Sequence, residues 1–208
     1  MVGEGVLHEC LQHPLVASVL AINRRPCGIQ HPKLKEVVHP DFFDLSPVAG
    51  SLSGYNACYF CLGVSSVGMK AEDYYRMTYT LTMNVAEILA RQNPDMTFCY
   101  VSGAGTDSTE KGRSRWARVK GKTENDLMRL SFARVFAFRP GYIHPTKGLT
   151  RTHRFYAYFT WMYPILKLVA PGAACTLREL GLAMIRVTAE GFDKPIVGGK
   201  DIVRLGHA

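Results

Sequence analysis

Three small groupings in this sequence carry side chains fit for chemistry. In the first, Gly3 opens a helical pattern, and about twenty residues later Asn23-Arg24-Arg25 closes an apolar run. A helix N-terminus that begins on glycine lets an anion approach the backbone amides. At the end of the strand that follows, an acidic residue would bond the 2′-hydroxyl of a dinucleotide's ribose, whereas arginine accommodates a 2′-phosphate. Arg24 and Arg25 therefore favour NADP over NAD; the plainer reading is two solvated arginines at a strand end. The second grouping is Cys58 and Cys61, a C-x-x-C pair inside Ala57-Cys58-Tyr59-Phe60-Cys61-Leu62. That stretch reads as a buried strand, and residues three apart on a strand point to opposite faces. They are expected to be small buried hydrophobes, and no metal site is expected. The third is Ser102 at the end of a strand, with Trp116 and Lys120 in the helix that follows. Their spacing of four puts indole and ammonium on one helix face. Indole donates a hydrogen bond and cannot exchange a proton at ordinary pH.

The elements that must hold these groups follow from the pattern of apolar residues. Helices are predicted at 3–13, 71–92, 113–130, 153–170 and 176–190. Strands are predicted at 17–23, 35–39, 56–62, 96–102 and 134–139, with a short segment at 195–199. Tyr75, Thr78, Leu81, Val85, Ile88 and Leu89 recur at helical spacing, and Asn93-Pro94 ends that helix. Strands alternating with helices predict a mostly parallel sheet covered on both faces, an α/β domain. Without repeats or a low-complexity linker, residues 1–208 read as one domain, with 142–195 as most of a C-terminal cap.

Composition sets outer bounds. Hydrophobic residues make up 47% and charged residues 20% of 208 residues, as in a globular domain large enough to bury a core without staples. The net charge of +8 favours anionic partners. Lys111, Arg113, Arg115, Arg118, Lys120 and Lys122 form a basic cluster, but no nucleic-acid motif accompanies it, so no nucleic acid is expected. No leader pattern and no uninterrupted apolar run of about 20 residues is present, so a cytoplasmic protein without a membrane span is expected.

The order of these motifs is more telling than any one of them. Gly3, Asn23-Arg24-Arg25, Asp41-Phe42, Cys61-Leu62-Gly63, Ser102-Gly103-Ala104-Gly105, Lys120-Gly121-Lys122-Thr123-Glu124 and Arg139-Pro140-Gly141 resemble the atypical short-chain dehydrogenase/reductases. Within them the chain is similar to the NmrA-like and NAD-dependent-epimerase-like members, over nearly its whole length. The resemblance implies a Rossmann-type, doubly wound parallel sheet. It also implies a first strand and a G-x-x-G ahead of Gly3; neither is in this sequence, so an N-terminally truncated fold lacking its usual first strand, and weak cofactor binding, are expected. Asp41 and Phe42 would flank adenine, although Phe42 could equally be core. Leu62 and Gly63 would let the cofactor pass, and Pro140 and Gly141 would line its nicotinamide side.

In that family a Tyr-x-x-x-Lys pair and a serine carry the acid–base step, the lysine also holding the nicotinamide ribose. Lys120 matches the lysine and Ser102 the serine, while Trp116 stands at the tyrosine position. The plainer alternative for Lys120 is a solvated helix lysine. Tyr100, Tyr142, His144, Ser65 and Ser66 sit near strand ends and could stand in for the tyrosine, and Asp107, Ser108 and Thr109 could reach a substrate from a loop. Two functions are compatible with this reading: an NADP-dependent oxidoreductase or epimerase-like enzyme acting on an unknown small molecule, and an NADP-sensing or scaffold protein without catalysis. The aromatic residues Phe155, Tyr156, Tyr158, Phe159, Trp161 and Tyr163 would suit either an apolar substrate or a core stripe.

Overall fold

The computed structural model describes residues 1–144 and 172–207. The predicted helix at 153–170 and the aromatic group 155–163 lie outside the described residues. Helix α1 (Val2–Gln12) buries Val6, Cys10 and Leu11, the apolar side that the sequence shows. β1 (Val19–Asn23) and β2 (Leu34–Val38) pair in parallel, with Val19 opposite Leu34 and Asn23 opposite Val38. β3 (Ala57–Phe60), β4 (Thr97–Val101), β5 (Arg134–Arg139) and β8 (Ile196–Gly198) form a second parallel sheet in that order. A short parallel pair, β6 (Tyr142–His144) and β7 (Ala174–Thr176), stands beside it. The expected α/β fold of parallel strands is present.

The sheet is not continuous. One edge of β1 and one edge of β3 pair with no strand among the described residues. Every residue of β1 and the first three of β3 keep partial exposure, whereas Thr97, Phe98, Cys99 and Tyr100 of β4 are buried. Apolar strand residues left half-covered mark an edge without a neighbour.

The long helix expected at 71–92 has an internal irregularity. α2 (Ala71–Tyr75) passes through a π turn (Arg76–Thr80) into α3 (Leu81–Gln92). The wider turn sets the Tyr75 and Tyr79 rings 4.8 Å apart, and the Tyr79 hydroxyl donates to Asp126 at 2.7 Å. α4 (Arg115–Leu127), α5 (Leu177–Glu190) and α6 (Gly199–His207) complete the described helices. Thr176 and Glu179 cap α5 reciprocally: Glu179 N–H donates to the Thr176 hydroxyl and Thr176 N–H to the Glu179 carboxylate.

Two apolar layers sandwich the strands. On one side Val6, Leu180, Ala183, Met184, Val187 and Ile202 pack on Cys99, Phe136 and Phe138. On the other, Leu81, Val85, Ala86, Leu89 and Leu127 pack on Phe60, Phe98 and Tyr100. Alternate residues of β4 serve alternate layers, as the two-residue period of a strand requires. Cys58 joins the second layer and Cys61 the first, so the C-x-x-C residues face opposite sides. Burial pushes both thiols up to about 12, which leaves them poor thiolate ligands.

Candidate functional site

The site is assembled where the parallel strands end. Ser102 follows β4 directly. Its N–H and its hydroxyl both donate to the Phe138 carbonyl of β5, at 2.9 and 3.1 Å. The hydroxyl is thus spent on the neighbouring strand, and Ser102 is buried. Lys120 reaches down from α4 and donates its ammonium to the Ser102 carbonyl, 6.0 Å from the Tyr100 ring centre. The structure therefore brings Lys120 and Ser102 together, and Lys120 is part-buried rather than a solvated helix lysine. Removal from water pushes it down to about 8, against the pull of Glu124.

Trp116 lies one turn before Lys120 on the same face of α4 and packs against the Gly105 loop: a Cβ added at residue 105 would meet the indole at 3.4 Å. The alternatives to a tyrosine at 116 fare differently. Tyr100 points into the core beside Phe60, ring centres 6.1 Å apart, and burial raises its hydroxyl well above the ordinary range. Burial lowers His144. Tyr142 and His144 belong to β6, which pairs with β7.

Asp107 was read from the sequence as a residue that could reach a substrate, and its observed bonds are local. Its two oxygens accept from Thr109 N–H at 3.0 Å, the Thr109 hydroxyl at 2.6 Å and Gly112 N–H at 2.6 Å, which holds its carboxyl below the usual carboxylate range. The loop it braces lies against α4: a Cβ at Gly121 would stand 1.8 Å from the Asp107 carbonyl oxygen. Arg139 forms a two-pronged ion pair with the fully buried Glu124 and also donates to Ser108. The Arg139–Glu124 pair has no signal in the sequence, because its partners lie 15 residues apart.

The remaining sequence-derived positions fall as follows. Arg24 and Arg25 are exposed just beyond β1. Gly3, in the first turn of α1, faces Cys61, with 3.5 Å from its would-be Cβ to the cysteine Cβ. Leu62 is 41% exposed beyond β3, and a Cβ at Gly63 would meet nothing within 4 Å. Asp41 accepts from Phe43 N–H at 2.8 Å, and Phe42 is buried in the core layer with Leu45 and Leu52. Pro140 accepts from Ala104 N–H at 2.8 Å. Gly141 has a packing reason to be glycine, because a Cβ there would stand 2.1 Å from the Ala173 carbonyl oxygen.

The basic cluster seen in the sequence is not one solvated patch. Lys120 is part-buried on the Ser102 carbonyl, Lys122 pairs with Asp126 at 2.8 Å, Arg118 donates to Gly112 and Arg113 carbonyls, and Arg115 donates to the Met69 carbonyl at 3.1 Å. No group of three metal-ligating side chains occurs among the described residues, and none of their helices is long and apolar enough to cross a membrane.

Known proteins resemble this chain at two levels. No family model matches it. Protein fmp52-1, mitochondrial, of Aspergillus oryzae is 29% identical over 150 residues, 69% of this chain and 62% of that protein. Protein HTATIP2 of Rattus norvegicus is 28% identical over 141 residues, 67% of this chain and 57% of that protein. The chain thus spans about three fifths of the length of these curated relatives. Among solved structures, a UDP-galactose 4-epimerase superposes with a TM-score of 0.66 at 17% identity, covering 94% of this chain and 72% of that one. The Bordetella bronchiseptica enzyme WbmH in complex with NAD+ gives 0.63 at 14% identity, covering 91% and 68%. Pal from Bacillus thuringiensis gives 0.69 at 13% identity, covering 98% and 78%. The fold is therefore the Rossmann-type α/β fold of the NAD-dependent epimerases and short-chain dehydrogenase/reductases.

Proposed function

We propose that this chain is the dinucleotide-binding body of an atypical short-chain dehydrogenase/reductase, an oxidoreductase or epimerase-like protein that takes NADP and acts on a small molecule. The observation that carries the cofactor choice is the exposed Arg24-Arg25 pair immediately beyond β1. Arginine at that place accommodates the 2′-phosphate. The open space at Gly63 fits a ligand lying close to the backbone. Asp41 would flank adenine, Leu62 and Gly63 the passing cofactor, and Pro140 and Gly141 its nicotinamide side, while Phe42 takes the core place that the sequence equally allows.

A bound nicotinamide dinucleotide supplies hydride transfer. The chain's own part would be to bind and orient: Lys120, anchored on the Ser102 carbonyl, would hold the nicotinamide ribose, and the protein around it would exclude water. WbmH is described in complex with NAD+, and NADP rather than NAD is our reading for this chain from Arg24 and Arg25.

Thermal unfolding measured with NADPH, with NADH and without nucleotide tests the proposal. Binding to the folded state alone stabilises it by about 2.7 kcal/mol at a hundredfold excess over Kd. A larger upward shift with NADPH than with NADH is expected; equal shifts, or none, would remove the cofactor assignment.

Trp116 favours a second reading, in which the protein senses NADP without turnover. Assays of NADPH oxidation against a panel of carbonyl compounds, on the protein and on Trp116→Tyr, separate the two. Tight binding with no turnover in either form supports the sensor. Its six free thiols suit a reducing compartment, for which the cytoplasm is our reading. The name of the Aspergillus relative places that protein in mitochondria, and co-staining of a tagged copy against a mitochondrial marker decides between the two.

A further inference from the structure

The turn that carries Arg24 and Arg25 is pinned at both ends by one carboxylate oxygen. Asn23, the last residue of β1, donates its side-chain amide to Glu36 Oε1 at 2.6 Å, and Cys27 donates its backbone N–H to the same oxygen at 2.8 Å. Strand register explains the reach. Glu36 of β2 stands opposite Ala21, and Asn23 lies two residues further along β1 on the same face. The backbone ladder continues past the strands, with His39 N–H donating to the Asn23 carbonyl at 2.8 Å. Arg24, Arg25 and Pro26 lie between the two pinned points and are all exposed. The Glu36 carboxylate oxygen accepts from both the Asn23 amide and the Cys27 N–H of the turn.

We infer that Glu36 is a positioning residue for nucleotide choice: by holding Asn23 and Cys27 on one oxygen it presents Arg24 and Arg25 to the 2′-phosphate of the cofactor. This rests on the reading of the arginine pair given above and extends it to a residue on the neighbouring strand. A fixed turn loses less entropy when a phosphate binds, so the benefit falls on the phosphorylated cofactor and not on its unphosphorylated analogue. A charge acting directly would do the reverse, because a carboxylate near the arginines repels a phosphate.

The two mechanisms therefore predict opposite results. In Glu36→Ala both anchoring bonds are lost, and the ratio of NADPH to NADH affinity should fall about tenfold, the loss expected for bonds to a charged acceptor. In Glu36→Gln the side-chain carbonyl still accepts from both donors, and the ratio should stay within about threefold of the parent. Asn23→Ala removes one anchor and should give an intermediate ratio.

Titration calorimetry with NADPH and with NADH, on each variant and on the Arg24→Ala/Arg25→Ala double variant, reads these ratios directly. A loss of fold integrity in Glu36→Ala would lower both affinities together and leave their ratio unchanged, and Asn23→Ala then carries the test. An unchanged ratio in both Glu36→Ala and Asn23→Ala overturns the inference, as does a ratio in Glu36→Gln that falls with Glu36→Ala or rises above the parent. Should the parent show no preference for NADPH, or the double arginine variant keep it, the arginine reading itself fails and takes the Glu36 role with it.

Discussion

At the scale of single residues, Lys120 is a cation that the fold partly withdraws from water and secures with one backbone carbonyl. Burial lowers it from 10.5 to about 8. Between those two pH values the unfolded chain holds a proton that the folded one has released, so this group's contribution to stability rises with pH across that window. Below about pH 8 the cost of burying the charge is fully present, on the order of 3 kcal/mol. Buried thiols act in the opposite sense: Cys10, Cys58, Cys61 and Cys175 are pushed up to about 12 and stay protonated in the folded state where the unfolded state ionises. The lysine is therefore read by difference. Urea unfolding of the protein and of Lys120→Met at several pH values should show the stability of the parent gaining on the variant by about 2–3 kcal/mol between pH 7.5 and 10.5. A gap constant across that range would mean that the ammonium is solvated. The pairing of Ser102 with Lys120 was legible in the sequence through the family resemblance, which matches one to the serine and the other to the lysine. The Glu36 anchor was not, since it depends on strand register, which an unpaired run of five residues leaves undetermined.

At the scale of elements, α4 is held by two contacts that leave no trace in local composition. Gly121 lets the helix lie on the backbone of Asp107, and the Arg139–Glu124 pair ties the helix to the end of β5. Replacing Gly121 with alanine would place a methyl group 1.8 Å from a carbonyl oxygen, so either loop or helix must shift. Gly121→Ala should cost at least about 1–3 kcal/mol in chemical denaturation, although alanine is the better helix former in isolation. A neutral or stabilising result would show that the Asp107 loop yields freely. Arg139→Ala leaves the Glu124 carboxylate buried without its partner and should cost about 3–5 kcal/mol, with Arg139→Lys recovering only part because an ammonium cannot make the two-pronged contact. Of the elements, β1 to β5, β8 and α1, α3, α4 and α5 are predicted within a few residues of where they stand, because their apolar residues keep the strand or helix period; the three-residue pair β6–β7 is too short to show one. The π turn at Arg76–Thr80 escapes such a reading, because one widened turn hardly disturbs the apolar spacing on either side. α6 escapes it for another cause: Gly198-Gly199-Lys200 at its entrance reads as loop, and only packing on α5 and burial of Ile202 reveal the helix.

At the scale of the whole molecule, the β1–β2 pair and the four-stranded sheet share no strand ladder among the described residues. α1 touches β1, β3 and α5, so it spans the interruption. Most of the described core sits elsewhere, around β4 and β5 and the helices on their two faces. Local stability follows buried contacts and paired backbone. Opening of the β1–β2 pair should therefore require less free energy than opening of the β4–β5 ladder, and amide hydrogen exchange should resolve the two. Val135, Phe136 and Ala137 amides should exchange with the slowest class, as should those of Phe98 to Tyr100. Leu20 to Ile22 should exchange at least about tenfold faster, with β3 intermediate because β4 covers only one of its edges. Saturating NADPH should narrow that difference by slowing exchange in β1 and β2, since under the proposed function the cofactor bonds to the turn that β1 and β2 share through Glu36. NADH at equal occupancy should slow it less. Uniform slowing across both sheets, or the same profile with either nucleotide, would separate cofactor binding from the β1–β2 unit and place the discriminating contacts on another part of the fold.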